Sequence, residues 1–229
     1  MARFRNLKQD MGRILAQPEW QAQLADMAGV RPERLTGPLL ALRLDREELV
    51  RWRASEGLGL LAAELAGQRM ERARVLMRTF MWYLNEESGN LGWGIPEAMA
   101  CAMVRQARLA EEYHTILASY VYSDPEMDGN YLDHPELRRG AWWGLARLSG
   151  GRPDMVVHAE RFLVAGLDEE SAFSRGCAAW ALGNVKAASA RAALEARLED
   201  TAGLTLYRDD QLQDATVAEL AREALAALG

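Results

Sequence analysis

The chain has 229 residues, of which 49% are apolar and 26% charged, and its net charge is −6. A chain of this size buries enough surface to fold without a disulfide or metal staple, and its composition excludes extended disorder. Residues 1–83 hold 14 Lys and Arg against 10 Asp and Glu, and residues 84–229 hold 13 against 23, so nonspecific phosphate binding by the second part is disfavoured.

The first segment, MARFRNLKQDMGRILAQ, is basic but has no apolar run to serve as a signal-peptide core. Helical periodicity then predicts helices near 4–16, 18–28, 32–41, 46–66 and 70–85. Pro18 and Pro32 mark two of the starts, and Asp45 with Glu48 makes a box-like cap for a third. Further helices are expected at 96–107, 109–122, 154–166 and 188–199, with Pro153 tolerated in a first turn. In LTLYRDDQLQ (204–213) apolar and polar residues alternate on both sides of Arg208-Asp209-Asp210, which predicts either a small β-hairpin or an extended loop. Thr216 and Glu219 form a capping box, and the last helix follows. No stretch approaches the length of a membrane span.

The last helix carries one apolar face, and that face recurs. Ala221, Ala224, Leu225 and Leu228 match Ala178, Ala181, Leu182 and Val185 at a shift of 43 residues, and Ala141, Gly144, Leu145 and Leu148 match at a further 37. Small residues at the first two places let neighbouring helices approach closely. Two helices per period of about 40 residues is the mark of a HEAT-type solenoid. The stretches RGAWWGLARL and RGCAAWALGNV resemble the HEAT-like repeats also seen in phycobilin lyases. The region 70–229 also resembles an uncharacterised family of HEAT-repeat proteins from sulfate-reducing bacteria. The expected fold is therefore all-α, an α-α superhelix (HEAT-like solenoid), with either a small β-hairpin or an extended loop near 204–213. Residues 1–66 would form a helical segment packed on a repeat region at 67–229. The resemblance implies a fold and says almost nothing about activity.

Three places invite a chemical reading. The first is NEESGNLGWGIPE (85–97), where Gly89, Gly92 and Gly94 allow close backbone approach and Pro96 starts a helix. Glu86, Glu87 and Glu97 would repel a phosphate and suit a cation or a partner's arginine. Trp93 either plugs the end of the repeat stack or offers a binding platform. The second is SDPEMDGNYLDH (123–134), which puts Asp124, Glu126 and Asp128 at the first, third and fifth places of a calcium loop, but Pro135 at the twelfth. A turn before a capped helix fits it better. The third is a ladder in which Trp143 aligns with Trp180 and Arg138 with Arg175 at the same 37-residue shift. Exposed, it would make a binding surface; buried, it would fill gaps between helices.

No catalytic motif stands out. His114, His134 and His158 show nothing like HExxH, so no metal and no cofactor is expected unless folding gathers them. Cys101 and Cys177 lie in apolar helical patterns and suggest a reducing, cytoplasmic setting. Only Lys8 and Lys186 are lysines, a skew that reads as codon bias. The expected function is a non-enzymatic scaffold or protein-binding module with a protein or peptide partner. The alternative is a HEAT-like enzyme. The chain resembles the alkylpurine DNA glycosylases in length and helical repeats, but departs from their cationic groove in its net charge and near lack of lysine, so that only the basic residues 1–83 keep this alternative; a bilin lyase is suggested by the repeat type alone. Nucleic acid and membrane are not expected partners.

Overall fold

The computed structural model describes residues 2–30, 32–85, 89–122 and 130–229. They fall into two compact units, Met1–Leu109 and Ala110–Gly229.

The first unit runs through α1 (Ala2–Leu15), α2 (Trp20–Val30), α3 (Glu33–Leu42), α4 (Glu48–Gln68), α5 (Met70–Leu84) and α6 (Ile95–Arg105), with a 3-10 turn at Gly89–Gly92. The helix α7 (Ala107–Ser119) crosses into the second unit. The central element of the first unit is α4, which packs on α2, α3, α5 and α6. Its residues from Trp52 to Gly59 are buried without a break, so this stretch of the helix has no solvent face to leave polar. The polar groups it takes inside are matched. Arg53 donates to the carbonyls of Leu15 (2.8 Å) and Gln17 (3.0 Å), and Glu56 accepts from Arg105 of α6 at 2.6 Å. Buried charge persists only with such partners. A side chain at Gly59 would put its Cβ 2.4 Å from the Cys101 Cβ, so α4 and α6 approach at a point that only glycine permits.

The second unit continues with α8 (Pro135–Gly151), two 3-10 turns at Pro153–Met155 and Val157–Ala159, α9 (Glu160–Gly166), α10 (Ala172–Asn184) and α11 (Arg191–Glu195). The strands β1 (Gly203–Arg208) and β2 (Gln211–Thr216) and then α12 (Val217–Leu228) complete it. The recurring face forms the interior. Ala141, Gly144, Leu145 and Leu148 of α8, Ala178, Ala181 and Leu182 of α10, and Ala221 and Ala224 of α12 are all buried. The helix α10 packs on α8, α9 and α12. At Gly183 a Cβ would lie 2.7 Å from the Ala224 Cα, again a helix crossing made by the smallest residue.

The outer helix of each pair is shorter than the periodicity predicts. The expected helix at 154–166 begins as two 3-10 turns, and that at 188–199 is α-helical only over Arg191–Glu195. Beyond it the amides of Arg197 and Leu198 donate to carbonyls three residues back, the tighter 3-10 closure. The hairpin forms, with β1 antiparallel to β2 from Gly203↔Thr216 to Arg208↔Gln211. Asp209 and Asp210 take φ of 53° and 64°, as a two-residue type I′ turn requires, and the Tyr207 hydroxyl donates to Asp210 at 2.8 Å. The Thr216–Glu219 capping box is in place. The Asp45–Glu48 box is not: α4 is capped at Glu47, and Asp45 accepts from the Glu47 amide at 3.1 Å. The aspartate closes its own turn two residues on, before the helix begins. No helix among the described residues is long and apolar enough to cross a membrane.

Candidate functional site

The glycine–tryptophan loop is held from beneath by a buried cation. Gly94 caps α6 with φ 75°, a left-handed conformation, and Pro96 sits in the first turn. A Cβ at Gly94 would run into the Ser55 hydroxyl and the Arg43 side chain. Arg43 follows the last residue of α3 and is 4% exposed. Its Nη1 donates to the Leu91 carbonyl at 3.1 Å and to the Trp93 carbonyl. Burial lowers the guanidinium to a pKa of about 10, while the nearby Glu97 and Tyr83 act in the opposite sense. Arg43 thus stays charged at neutral pH.

Above this anchor the surface is aromatic. Trp93 is 40% exposed and so does not act as a sealed plug. Trp82, on α5, is 55% exposed; its ring centre lies 5.4 Å from that of Tyr83, and Arg43 sits over the Tyr83 ring at 6.0 Å. Trp82, Tyr83, Arg43 and Trp93 form one connected path within the first unit. Trp20, Trp52, Trp142 and Trp143 are buried and Trp180 is half-buried, so Trp82 and Trp93 stand out. Glu86 and Glu87 lie outside the described residues, as do 123–129 of the calcium-like segment.

The Trp/Arg ladder is brought together, but as framework. Trp143 is 1% exposed and donates from Nε1 to the Tyr207 carbonyl at 2.8 Å, pinning β1 to α8. Trp180 is covered on one side by Arg208, 5.7 Å from its ring, and Arg208 is paired with Glu223 at 2.8 Å. The Asn184 amide, oriented to satisfy both its ends, accepts from Trp180 Nε1 at 3.1 Å. Arg138 donates to the carbonyls of Leu132 (2.7 Å) and Asp133 (3.1 Å); Arg175 donates to those of Glu169 and Glu170, both at 2.8 Å. Arg175 also binds Asp200 at 2.8 Å and holds its carboxyl below the usual range, while Arg138 lies 3.8 Å from Glu169.

Sequence reading missed Arg43, because a single arginine at a helix end carries no signal of its own. It passed over Trp82 as a site, although Ala73, Leu76, Met77, Phe80 and Leu84 make one buried face of α5 and leave Trp82 off it. A cleft of about 750 Å³ in the first unit is lined by Arg5, Lys8 and Arg13 of α1 with Asp45 and Glu47 of the α3–α4 turn. Its charges are mixed in sign.

No family model and no curated protein matches this chain. Solved structures do. A designed armadillo repeat protein in complex with the peptide (KR)4 matches with a TM-score of 0.54 at 18% identity, over 97% of this chain and 99% of that one. Computationally designed armadillo repeat proteins for modular peptide recognition match at 0.51 and 18%, over 97% and 100%. An engineered protein matches at 0.52 and 16%, over 96% of each chain. At such identities the likeness speaks for the fold alone, and that fold is a helical-repeat solenoid.

Proposed function

We propose that this chain is a non-enzymatic binding module of the HEAT-repeat type whose partner is a protein or peptide segment carrying arginine or lysine. The carrying observation is the pair of exposed indoles, Trp82 and Trp93, tied through Tyr83 and Arg43 in a chain that covers its other tryptophans. Exposed indoles cost solubility and are the residues most enriched at binding hot spots. Their faces attract cations. Glu86 and Glu87 stand in the same loop of the sequence and add the charge a basic segment needs. A protein of similar fold in complex with a (KR)4 peptide supports this reading. Trp143, Arg138 and Arg175 act in it as supports, and Trp180 as an edge of the second unit. Cys101 and Cys177 are buried and not joined in a disulfide, which suits a cytoplasmic setting.

Titration with fluorescently labelled (KR)4 and with an acidic peptide of equal length tests the proposal. Binding of the basic peptide, weakened at least about tenfold in Trp82→Ala/Trp93→Ala while the melting temperature holds, is the expected result. Equal affinity for the acidic peptide, or an undiminished double variant, overturns it. Duplex DNA near physiological salt is expected not to bind.

A further inference from the structure

Folding places two of the three histidines against each other. His114 lies on α7 and His158 in the turn before α9, and their ring centres are 4.9 Å apart with planes at 88°. Two imidazoles bound to one metal at about 2.0–2.1 Å, at an angle between square and tetrahedral, have ring centres about 5 Å apart. Each ring is also bonded to the backbone beside it. His114 Nδ1 lies 2.8 Å from the Ala110 carbonyl, and His158 is bonded to the Met155 backbone. A ring nitrogen that donates to a carbonyl leaves the other nitrogen with its lone pair, and this is how metal-binding histidines are usually fixed. His158 is exposed, so an ion can enter and keep water on its open sides.

We propose that His114 and His158 form a two-imidazole site for a late first-row divalent metal ion, Cu²⁺ before Zn²⁺. Neutral imidazole nitrogen favours these ions, and hard Mg²⁺ or Ca²⁺ finds no oxygen cage. No group of three or more His, Cys, Asp or Glu that could hold a metal occurs among the described residues, so water or a partner group completes the coordination. The ion would staple α7 to the turn before α9 within the second unit.

The test is calorimetric titration of the full chain with Cu²⁺ alone and Zn²⁺ alone, joined to electron paramagnetic resonance of the Cu²⁺ form. Expected are one equivalent bound, Cu²⁺ tighter than Zn²⁺, no response to Mg²⁺, and hyperfine structure from two nitrogen donors. His114→Gln and His158→Gln should each weaken Cu²⁺ at least about tenfold, and His134→Gln should leave it unchanged. No Cu²⁺ binding by the unaltered chain, a spectrum without two imidazole nitrogens, or undiminished binding in the His114→Gln/His158→Gln variant overturns the proposal. The spectrum needs no variant, so a misfolded substitution leaves the test intact.

Discussion

Trp142 and Trp143 are neighbours on α8, each 1% exposed, and their indole N–H groups meet opposite fates. Trp143 Nε1 donates to the Tyr207 carbonyl, whereas Trp142 Nε1 is buried with no acceptor among the described residues. Trp143→Phe strands a carbonyl as well as losing volume, and leaving a buried group unsatisfied costs about 1–3 kcal/mol. Trp142→Phe loses volume but also removes a stranded donor. Urea unfolding should therefore show Trp143→Phe less stable than Trp142→Phe by about 1 kcal/mol or more. Equal losses would mean that the hydrogen bond is immaterial.

Arg51, Arg138 and Arg175 each stand early in a helix and each donate from Nη1 to carbonyls five and six residues back. At Arg175 one Nη1 bridges both carbonyls while Nε and Nη2 hold the Asp200 carboxylate, a spread of donors that a single ammonium nitrogen does not reproduce. Arg175→Lys should lower stability by about 1–3 kcal/mol, read as a shift of the urea midpoint with unchanged slope. A variant as stable as the parent would assign Arg175 to function instead of framework.

How much of this was legible beforehand depends on the range of the interaction. The recurring faces of α8, α10 and α12 and the alternation around Asp209-Asp210 are local periodicities, and they appear as the sequence spaces them. The alignment of Arg138 with Arg175 was also visible, but which way the side chains turn was not, because the carbonyls they bind belong to loops with no periodicity. The Arg43 anchor joins residues about fifty positions apart, and the His114–His158 contact joins α7 to a turn well downstream. Such pairings depend on the packed fold, and spacing along the chain does not encode them.

Gly59→Ala should be costly although alanine is the better helix former. The new Cβ would lie 2.4 Å from the Cys101 Cβ and 2.7 Å from the Cys101 backbone carbon, neither of which can swing aside. Overpacking of this kind costs about 1–3 kcal/mol. Gly67→Ala is the control, because nothing lies within 4 Å of its new Cβ, and it should be neutral or stabilising in thermal melts.

Burial, and next the nearby His114, hold the His158 pKa below its ordinary value, with the Met155 backbone pulling the other way. Below about pH 6.5 the unfolded chain then binds more protons than the folded one. This contribution to stability is complete above that pH and is lost as the pH falls towards the lower folded pKa. Thermal melts in metal-free buffer should show a fall in melting temperature between about pH 7 and about pH 5.5, with a smaller fall in His158→Gln. A slope unaltered by the substitution would place the effect elsewhere.

Glu169 serves two masters: its main-chain oxygen receives Arg175 of α10, while its carboxylate lies 3.8 Å from Arg138 of α8. Fraying that starts at either helix must undo this shared knot before it can travel on. The amides of α8 and α10 should then open to deuterium as one block, where a simple string of hairpins would peel one rung at a time.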